Sequence, residues 1–176
     1  MASEAPEADV RRLLDRAEIA DVIGAYCYGM DSRDWELYRS CWTERIALDF
    51  TELELYEEPM PTIAADDWVR ALAAFFAEMP QSQHLKFPVR YEFDASGDAA
   101  TVLAIMQGKH WMPTTTGGPI QTVVGYYRDE FVRTEDGWKL CGLKELVHWN
   151  EGNAHVLDDN LRRLLDVLRE LEPARS

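Results

Sequence analysis

Apolar positions in the first thirty residues recur at steps of three and four, the spacing of one face of an α-helix. The pattern predicts a helix that begins between Pro6 and Asp9 and ends near Met30. Its apolar face comprises Val10, Leu13, Leu14, Ala17, Ala20, Ile23, Gly24 and Cys27. Four residues beyond Cys27 the same face reaches Asp31, so we expect a carboxyl group at the inner, C-terminal end of this helix.

Two short elements and a loop are predicted next. Asp34 precedes a second helical pattern over residues 34–42 and is expected to be its N-cap. Residues 45–51 alternate apolar and polar side chains, as a strand with one buried face does. The following segment, 52–65, contains two prolines and clustered acidic residues. It is expected to form a loop that acts as a lid over a site.

The second half of the chain is predicted to be mostly sheet. Asp66 is expected to cap a helix that Pro80 stops. Four strand-like runs separated by turn signals follow, at 83–93, 99–112, 120–133 and 138–149, and the chain closes with an amphipathic helix at 155–171. Local turns between long strands predict antiparallel pairing. We therefore expect an α+β fold in which helices cover one face of a curved antiparallel sheet and enclose a cavity.

The composition narrows the class of protein. A length of 176 residues with 47% hydrophobic and 11% aromatic content fits a single domain, residues 1–176, with a flexible tail at 1–6. A net charge of -14 argues against a nucleic-acid partner, because phosphate binding depends on Lys and Arg. The three cysteines form no CxxC pair, and no apolar run approaches the length of a membrane span. These features predict a cytoplasmic protein that contacts no membrane.

Candidate acid–base chemistry comes from a carboxylate and a few histidines. Histidine titrates near neutral pH, and a carboxylate bonded to one ring nitrogen fixes its tautomer. Asp31 with His84 would make such a dyad, and His110 is a further candidate. Burial and the helix dipole are expected to raise the pKa of Asp31. From spacing alone, Asp31 as the end of a helix and His84 as a structural residue remain alternatives.

No pattern in the sequence predicts a metal or a nucleotide cofactor. HxH, HExxH, a Gly-rich phosphate loop and GxSxG are all absent. The abundant aromatic residues are instead expected to shape an apolar pocket for a hydrophobic small molecule. Its predicted substrate-binding residues are Tyr28, Trp42, Phe50, Tyr56, Tyr127 and His148.

Several segments together carry a family resemblance. They are DRAEIADVIGAYCYGMDSRDWELY, a strand ending in LDF, an isolated QSQHL, and YYRDEFVRTEDGWKLCGLKELVHW. Over residues 10–150 the sequence resembles the SnoaL-like group of the nuclear-transport-factor-2-like superfamily, and within it the scytalone dehydratases. The resemblance implies a cone-shaped α+β fold. It implies less about function, since the superfamily includes dehydratases, isomerases, dehydrohalogenases, cyclases and non-catalytic binding modules.

Residue by residue, the resemblance implies that Asp31 and His84 match the family's Asp–His dyad and that His110 matches a second cavity histidine. Other positions depart from the pattern. Met30 and Phe50 stand where scytalone dehydratases carry tyrosines, and Tyr127 and Gly125 fall where they carry Asn and Ser. The scaffold therefore matches better than the substrate site.

These expectations combine into a cofactor-independent lyase, dehydratase-like, or an isomerase that removes a proton beside a carbonyl of a hydrophobic cyclic molecule. His84, oriented by Asp31, would be the base, while His110 and one tyrosine among Tyr28, Tyr56 and Tyr127 would polarise the oxygen. A polyketide-type cyclase and a non-catalytic binding module are the alternatives. The resemblance also implies a homo-oligomer, a trimer or a dimer.

Overall fold

The structure is a computed structural model that describes residues 4–53, 59–60, 62–113 and 116–171. Its helices are α1 (Glu4–Ser32), α2 (Trp35–Ser40), α3 (Ala65–Phe76) and α4 (His155–Leu171). Its strands are β1 (Trp42–Asp49), β2 (Ile63–Ala64), β3 (Gln81–Phe93), β4 (Ala99–Trp111), β5 (Ile120–Thr134) and β6 (Gly137–Gly152). The α+β class is as predicted, and so is the order of the longer elements. The short strand β2 lies within the segment 52–65 that was predicted to be a loop.

The strands form one curved, unclosed sheet in the order β2-β1-β6-β5-β4-β3. Strands β3 to β6 pair antiparallel through local turns, as predicted. The pairing of β1 with β6 is parallel, which corrects the expectation of a wholly antiparallel sheet. Parallel neighbours need a long crossover connection, and here that connection contains α3 and the four strands β2 to β5.

The helix boundaries lie close to those predicted, but one cap differs. Asp34 caps α2, since its carboxyl accepts a hydrogen bond of 3.0 Å from the Leu37 amide. The prediction that Asp66 caps α3 is wrong, because the N-cap position is Ala64. Asp66 instead lies in the first turn and forms an ion pair with Arg39. A carboxylate in the first turn still interacts favourably with the helix dipole.

The buried face of α1 is rotated from the one predicted. Val10, Leu13 and Leu14 are exposed, whereas the residues buried in this helix include Asp15, Ile19, Ile23, Tyr26 and Met30. The search for apolar residues at steps of three and four did not find this face, because one of its members, Asp15, is a carboxylate. Asp15 is buried because Arg133 donates to it at 2.7 Å, and the Trp138 indole lies 3.4 Å away.

The helices lie on one face of the sheet. Helix α1 contacts β3 and β6, and α3 contacts β1 and α4. Helix α4 packs mainly on α3, with Leu164 and Leu168 buried in the contact. The other face of β3 and β4 exposes Leu85, Phe87, Val89 and Ile105. The space between the helices and the inner sheet face is the cavity that holds the candidate site.

Candidate active site

Asp31 and His84 are joined by two hydrogen bonds. Asp31 lies in the last turn of α1, and His84 lies on β3 with its ring toward the helices. The Nδ1 atom of His84 is 2.7 Å from Oδ1 of Asp31, and the His84 backbone amide donates to Oδ2 at 2.6 Å. A proton on Nδ1 satisfies this geometry, which leaves Nε2 as the unprotonated nitrogen of a neutral ring.

Ser82 and Arg33 complete the surroundings of this carboxylate. The Ser82 hydroxyl donates to Oδ1 of Asp31 at 2.8 Å, and the Arg33 guanidinium donates to the Ser82 hydroxyl at 2.8 Å. Arg33 also donates to the Met30 and Met79 carbonyls and lies 4.2 Å from the centre of the Phe76 ring. These contacts hold Arg33 in a left-handed backbone conformation with a φ of 63°.

The pKa of Asp31 is lowered, which corrects the expectation that it is raised. Burial of the carboxyl does raise its pKa, but the hydrogen bonds and charge of His84 and the Ser82 hydroxyl together lower it by more. Hydrogen bonds to the ionised form favour that form. Asp31 is therefore an ionised group that orients His84 rather than a proton donor.

His110 is the second histidine at the site, and it is neutral. The two imidazole centres of His84 and His110 are 5.1 Å apart, and His110 stacks on Phe76. Burial is the main cause that lowers the pKa of His110 to about 3. The charge of His84, when that ring is protonated, and the charge of Arg33 act in the same direction, and the charge of Asp31 opposes them. Its Nδ1 is buried and has no hydrogen-bond partner among the residues that the structure describes.

Gly108 lets the two histidines approach each other. It lies on β4 directly opposite His84 in the antiparallel register, and a β-carbon there would be 3.2 Å from Cδ2 of His84 and 3.4 Å from Cε1 of His110. The first distance is shorter than an ordinary van der Waals contact, and the second is at the lower end of the range for such contacts. The glycine two residues before His110 thus has a steric role at the site.

The histidines open onto a cavity of about 270 Å³ whose walls are mainly apolar. Residues from α1, α3, α4 and the inner face of the sheet line it. The apolar ones include Met30, Phe50, Met60, Trp68, Leu72, Phe75, Met106, Val123, Leu157, Leu161 and Leu164. A cavity with this apolar lining suits a small, largely apolar molecule.

Polar groups also occur away from the histidines. Tyr127 and Glu145 line the cavity, and the Tyr127 hydroxyl donates to the Glu145 carboxyl at 3.3 Å. Burial raises the pKa of Glu145 to about 7, although Tyr127 and the Lys86 charge oppose the shift. Behind them Lys86 forms a buried ion pair of 2.8 Å with Asp129. The sequence analysis singled out neither Glu145 nor this ion pair.

The predicted substrate-binding residues divide into those that line the cavity and those that do not. Phe50 and Tyr127 line it. Tyr28 is 67% exposed on α1, His148 is exposed beside Tyr126 on β5, and Trp42 packs against Tyr26 in the core. These three side chains do not line this cavity. They look outward or into the core because helical and strand periodicity, not aromatic character, sets their direction.

Two predictions depend on parts of the chain that are not described. Tyr56 lies outside the described residues, as do 54–58 and 61 within the predicted lid at 52–65.

In the described part of the chain, no three His, Cys, Asp or Glu side chains converge to hold a metal ion. No helix in that same part is both long and apolar enough to cross a membrane.

Comparison with known proteins identifies the family. The SnoaL-like domain matches residues 11–144, which is most of the chain. The chain belongs to the SnoaL-like family of the nuclear-transport-factor-2-like superfamily. The SnoaL-like resemblance predicted from the sequence is therefore confirmed. No protein of curated function matches the chain significantly.

Solved structures agree with this SnoaL-like assignment. The Kfla4162 protein from Kribbella flavida is 31% identical, with a TM-score of 0.75 over 83% of this chain and 98% of that one. A hexachlorocyclohexane dehydrochlorinase, LinA type 2, is 20% identical, with a TM-score of 0.64 over 83% of this chain and 93% of its own. A scytalone dehydratase-like protein from Novosphingobium aromaticivorans is 16% identical, with a TM-score of 0.68 over 81% of this chain and 89% of its own. The last two likenesses establish the shared fold.

Proposed function

We propose that this SnoaL-like protein is a cofactor-independent lyase, dehydratase-like, or an isomerase that acts on a hydrophobic cyclic ketone. The observation that carries the proposal is the 2.7 Å contact of His84 Nδ1 with Asp31 at an apolar cavity. The contact leaves Nε2 of His84 free to take a proton. Relatives of the same fold include a dehydrochlorinase and a scytalone dehydratase-like protein, which is consistent with elimination chemistry.

The proposed reaction moves one proton through His84. Nε2 removes a proton from the carbon beside the carbonyl, and the electron pair of the broken C–H bond forms an enolate. The imidazolium, stabilised by ionised Asp31, then gives its Nε2 proton to a departing hydroxyl, so that water leaves and a C=C bond forms. In an isomerisation the same proton returns to a different carbon.

His110 has a separate role in this proposal. A histidine with a pKa of about 3 is neutral throughout the physiological range, so it carries one N–H. We infer that this N–H donates to the developing enolate oxygen, because a preorganised donor in a dry site stabilises developing charge. Scytalone dehydratases carry tyrosines at the positions of Met30 and Phe50, and neither of these side chains has a phenol to donate. In this proposal His110 therefore stabilises the enolate oxygen without that pair of phenols.

Deuterium exchange tests the proposal without knowledge of the natural substrate. 2-Tetralone, a two-ring ketone with acidic C–H bonds, would be incubated with the protein in D2O and followed by NMR. We expect accelerated exchange that falls by about 10²- to 10⁴-fold in His84→Asn. His148→Asn is the matched control, because His148 lies outside the cavity. Wild-type exchange by His84→Asn would contradict the proposal.

The alternatives differ in their outcome. A protein that binds 2-tetralone without accelerating exchange would be a binding module, an alternative that the apolar side chains of Met30 and Phe50 favour. A polyketide-type cyclase would use the same base on a poly-carbonyl chain, and only its substrate would distinguish it.

We also infer that the protein self-associates through the outer face of its sheet. An outer patch, defined as Leu85, Phe87, Val89, Ile105 and Trp149, consists of large exposed apolar side chains on β3, β4 and β6. The register aligns Phe87 with Ile105, so these two side chains lie side by side. Contiguous exposed apolar surface is typical of an interface. One further copy of this chain would bury it in a dimer, and two further copies would bury it in a trimer.

A further inference from the structure

The proposed mechanism leaves one polar pair of the cavity unused. Tyr127 on β5 and Glu145 on β6 are directly paired in the antiparallel register, and both line the cavity. The Tyr127 hydroxyl donates to Oε2 of Glu145 at 3.3 Å. Glu145 as a whole is only 5% exposed. A carboxyl group held in this way inside an apolar chamber requires a reason.

The Tyr127–Glu145 pair lies away from the histidines. His84 aligns with Gly108 on β4, and Gly108 aligns with Val123 on β5. Tyr127 lies four residues further along β5 than Val123. Since a strand rises by about 3.3 Å per residue, the two backbone positions are about 13 Å apart. The cavity therefore has a histidine end and a carboxyl end, joined by apolar residues such as Met106 and Val123.

The neighbours of Glu145 do not neutralise it. Lys86 from β3 is the cation whose charge acts on it, but Lys86 is bonded to Asp129 and lies 4.3 and 4.4 Å from the ring centres of Tyr26 and Tyr127. Tyr127 is the hydrogen-bond donor to the Glu145 carboxyl among the described residues. The other titratable groups that line the cavity are Tyr26, His84, His110 and Asp158, and none of them bonds to this carboxyl within the described part of the chain.

Burial with so little compensation favours the uncharged carboxylic acid. The pKa of about 7 agrees with this reasoning. An uncharged carboxylic acid differs from a carboxylate in having an O–H to donate, and an apolar site can keep the group in that form. The Tyr127 hydroxyl already donates to Oε2, so Oε1 is the oxygen left to carry the proton and donate it to a ligand.

We propose that Glu145 and Tyr127 form a subsite for a carbonyl oxygen at the end of the ligand that lies remote from His84. The Glu145 O–H donates to that oxygen, and Tyr127 fixes the rotamer of the carboxyl. The subsite deepens the proposed function and rests on it only for the role of the histidine end. It narrows the ligand class to elongated, largely apolar molecules with an oxygen acceptor at the far end.

A matched pair of ligands measures this preference directly. 2-Acetonaphthone carries a C=O, and 2-isopropenylnaphthalene has nearly the same shape with C=CH2 in its place. Quenching of tryptophan fluorescence would report the Kd of each, since Trp68 lines the cavity. At about pH 5.5 we expect the ketone to bind about tenfold more tightly, the effect of one good hydrogen bond to a buried donor.

The pH arm and two variants test the donor. In the wild type the preference should fall to about onefold at about pH 8.5, above the pKa of Glu145, because a carboxylate cannot donate. Glu145→Gln, which keeps an N–H donor, should retain the preference at both pH values, and Glu145→Leu should lose it at both. A pH-independent preference in the wild type, or a preserved preference in Glu145→Leu, would overturn the proposal.

One more variant separates this inference from the proposed function. His84→Asn should lose deuterium exchange of 2-tetralone but keep the binding preference for 2-acetonaphthone. A protein in which His84→Asn exchanges normally while the preference follows Glu145 would retain the subsite and reject the mechanism. The reverse pattern would retain the mechanism and reject the subsite.

Discussion

The imidazole of His84 lies against the backbone of Gly108, where a β-carbon would be 3.3 Å from Nε2. This contact sets the direction of the nitrogen that faces the cavity. It also brings His110 within reach, since the same β-carbon would be 3.4 Å from its Cε1. The position of the proposed base thus depends on the absence of a side chain on the neighbouring strand.

Gly108→Ala is therefore expected to impair the site without unfolding the protein. The added methyl group must push the His84 ring by a few tenths of an ångström, and small misplacements of a reacting group reduce rates strongly. We expect the exchange rate of 2-tetralone to fall by about tenfold or more while the melting temperature changes little. Gly24→Ala is the control, because nothing lies within 4 Å of a β-carbon there.

Asp31→Asn should impair exchange more than Ser82→Ala does. The amide removes the charge that stabilises the imidazolium and can present an N–H to Nδ1, which favours the wrong tautomer of His84. We expect a loss of about 100-fold or more in rate for Asp31→Asn. Ser82→Ala removes one of the hydrogen bonds to the carboxylate and should cost less than about tenfold. Equal losses in the two variants would argue against a charge-dependent role.

The same carboxylate should influence stability in acid. Because the pKa of Asp31 is lowered in the folded protein, the group contributes stability that is present above its unfolded pKa, near 3.8. That contribution is lost as the pH falls through the lower, folded pKa. Chemical denaturation between about pH 5 and pH 2.5 should therefore show a smaller loss of unfolding free energy in Asp31→Asn than in the wild type.

His110 should make the protein sensitive to mild acid. Its folded pKa of about 3 lies below the unfolded value of 6.5. Between these two pH values the unfolded chain therefore binds a proton at this histidine and the folded protein does not. Its contribution to stability is full above 6.5 and falls as the pH decreases toward 3. Between pH 6.5 and about pH 5 the loss should be on the order of 2 kcal/mol.

Denaturation of His110→Asn would check this sign. The variant should lack the loss between about pH 6.5 and pH 5, although it is less stable overall. His155→Asn serves as the control, because His155 is exposed at the start of α4 and is paired with Asp158. A pH dependence that is the same in the wild type and in His110→Asn would show that His110 binds a proton as readily in the folded protein as in the unfolded chain, which would contradict the lowered pKa.

Phe87→Glu should disrupt self-association. Phe87 is 69% exposed within the outer patch, and a carboxylate there would be buried without a partner in any symmetric contact. Light scattering should give a mass of two or three chains for the wild type and of one chain for the variant. Tyr28→Glu is the matched control, since Tyr28 is equally exposed but lies on α1. A monomeric wild type would refute the inference.

Periodicity predicted the elements of this protein better than their orientation. The strands β3 to β6 and helix α4 were found because alternation and three-to-four spacing extend over many residues. The buried face of α1 was misjudged because it includes Asp15, whose burial depends on Arg133 more than a hundred residues away. The parallel pairing of β1 with β6 likewise depends on a contact between strands far apart in the chain, which local turns do not reveal.

The site was predicted unevenly for the same reason. Asp31, His84 and His110 were found through a family resemblance, and the structure brings them together. Ser82, Arg33 and Glu145 carried no motif, since their importance comes from contacts across different elements. The lowered pKa of Asp31 was also not predicted. The hydrogen bonds that lower it come from β3, whereas the dipole argument considered α1 alone.

Helix α4 forms one wall of the cavity, and this wall comes from a different part of the chain than the acid–base groups do. The acid–base groups come from α1, β3 and β4, whereas α4 supplies mainly leucine side chains, with Asp158, to the cavity. Substitutions in this helix can therefore reshape the chamber while leaving the proposed proton-transfer groups in place. Selection acting on the last seventeen helical residues would diversify ligand choice within one inherited chemistry.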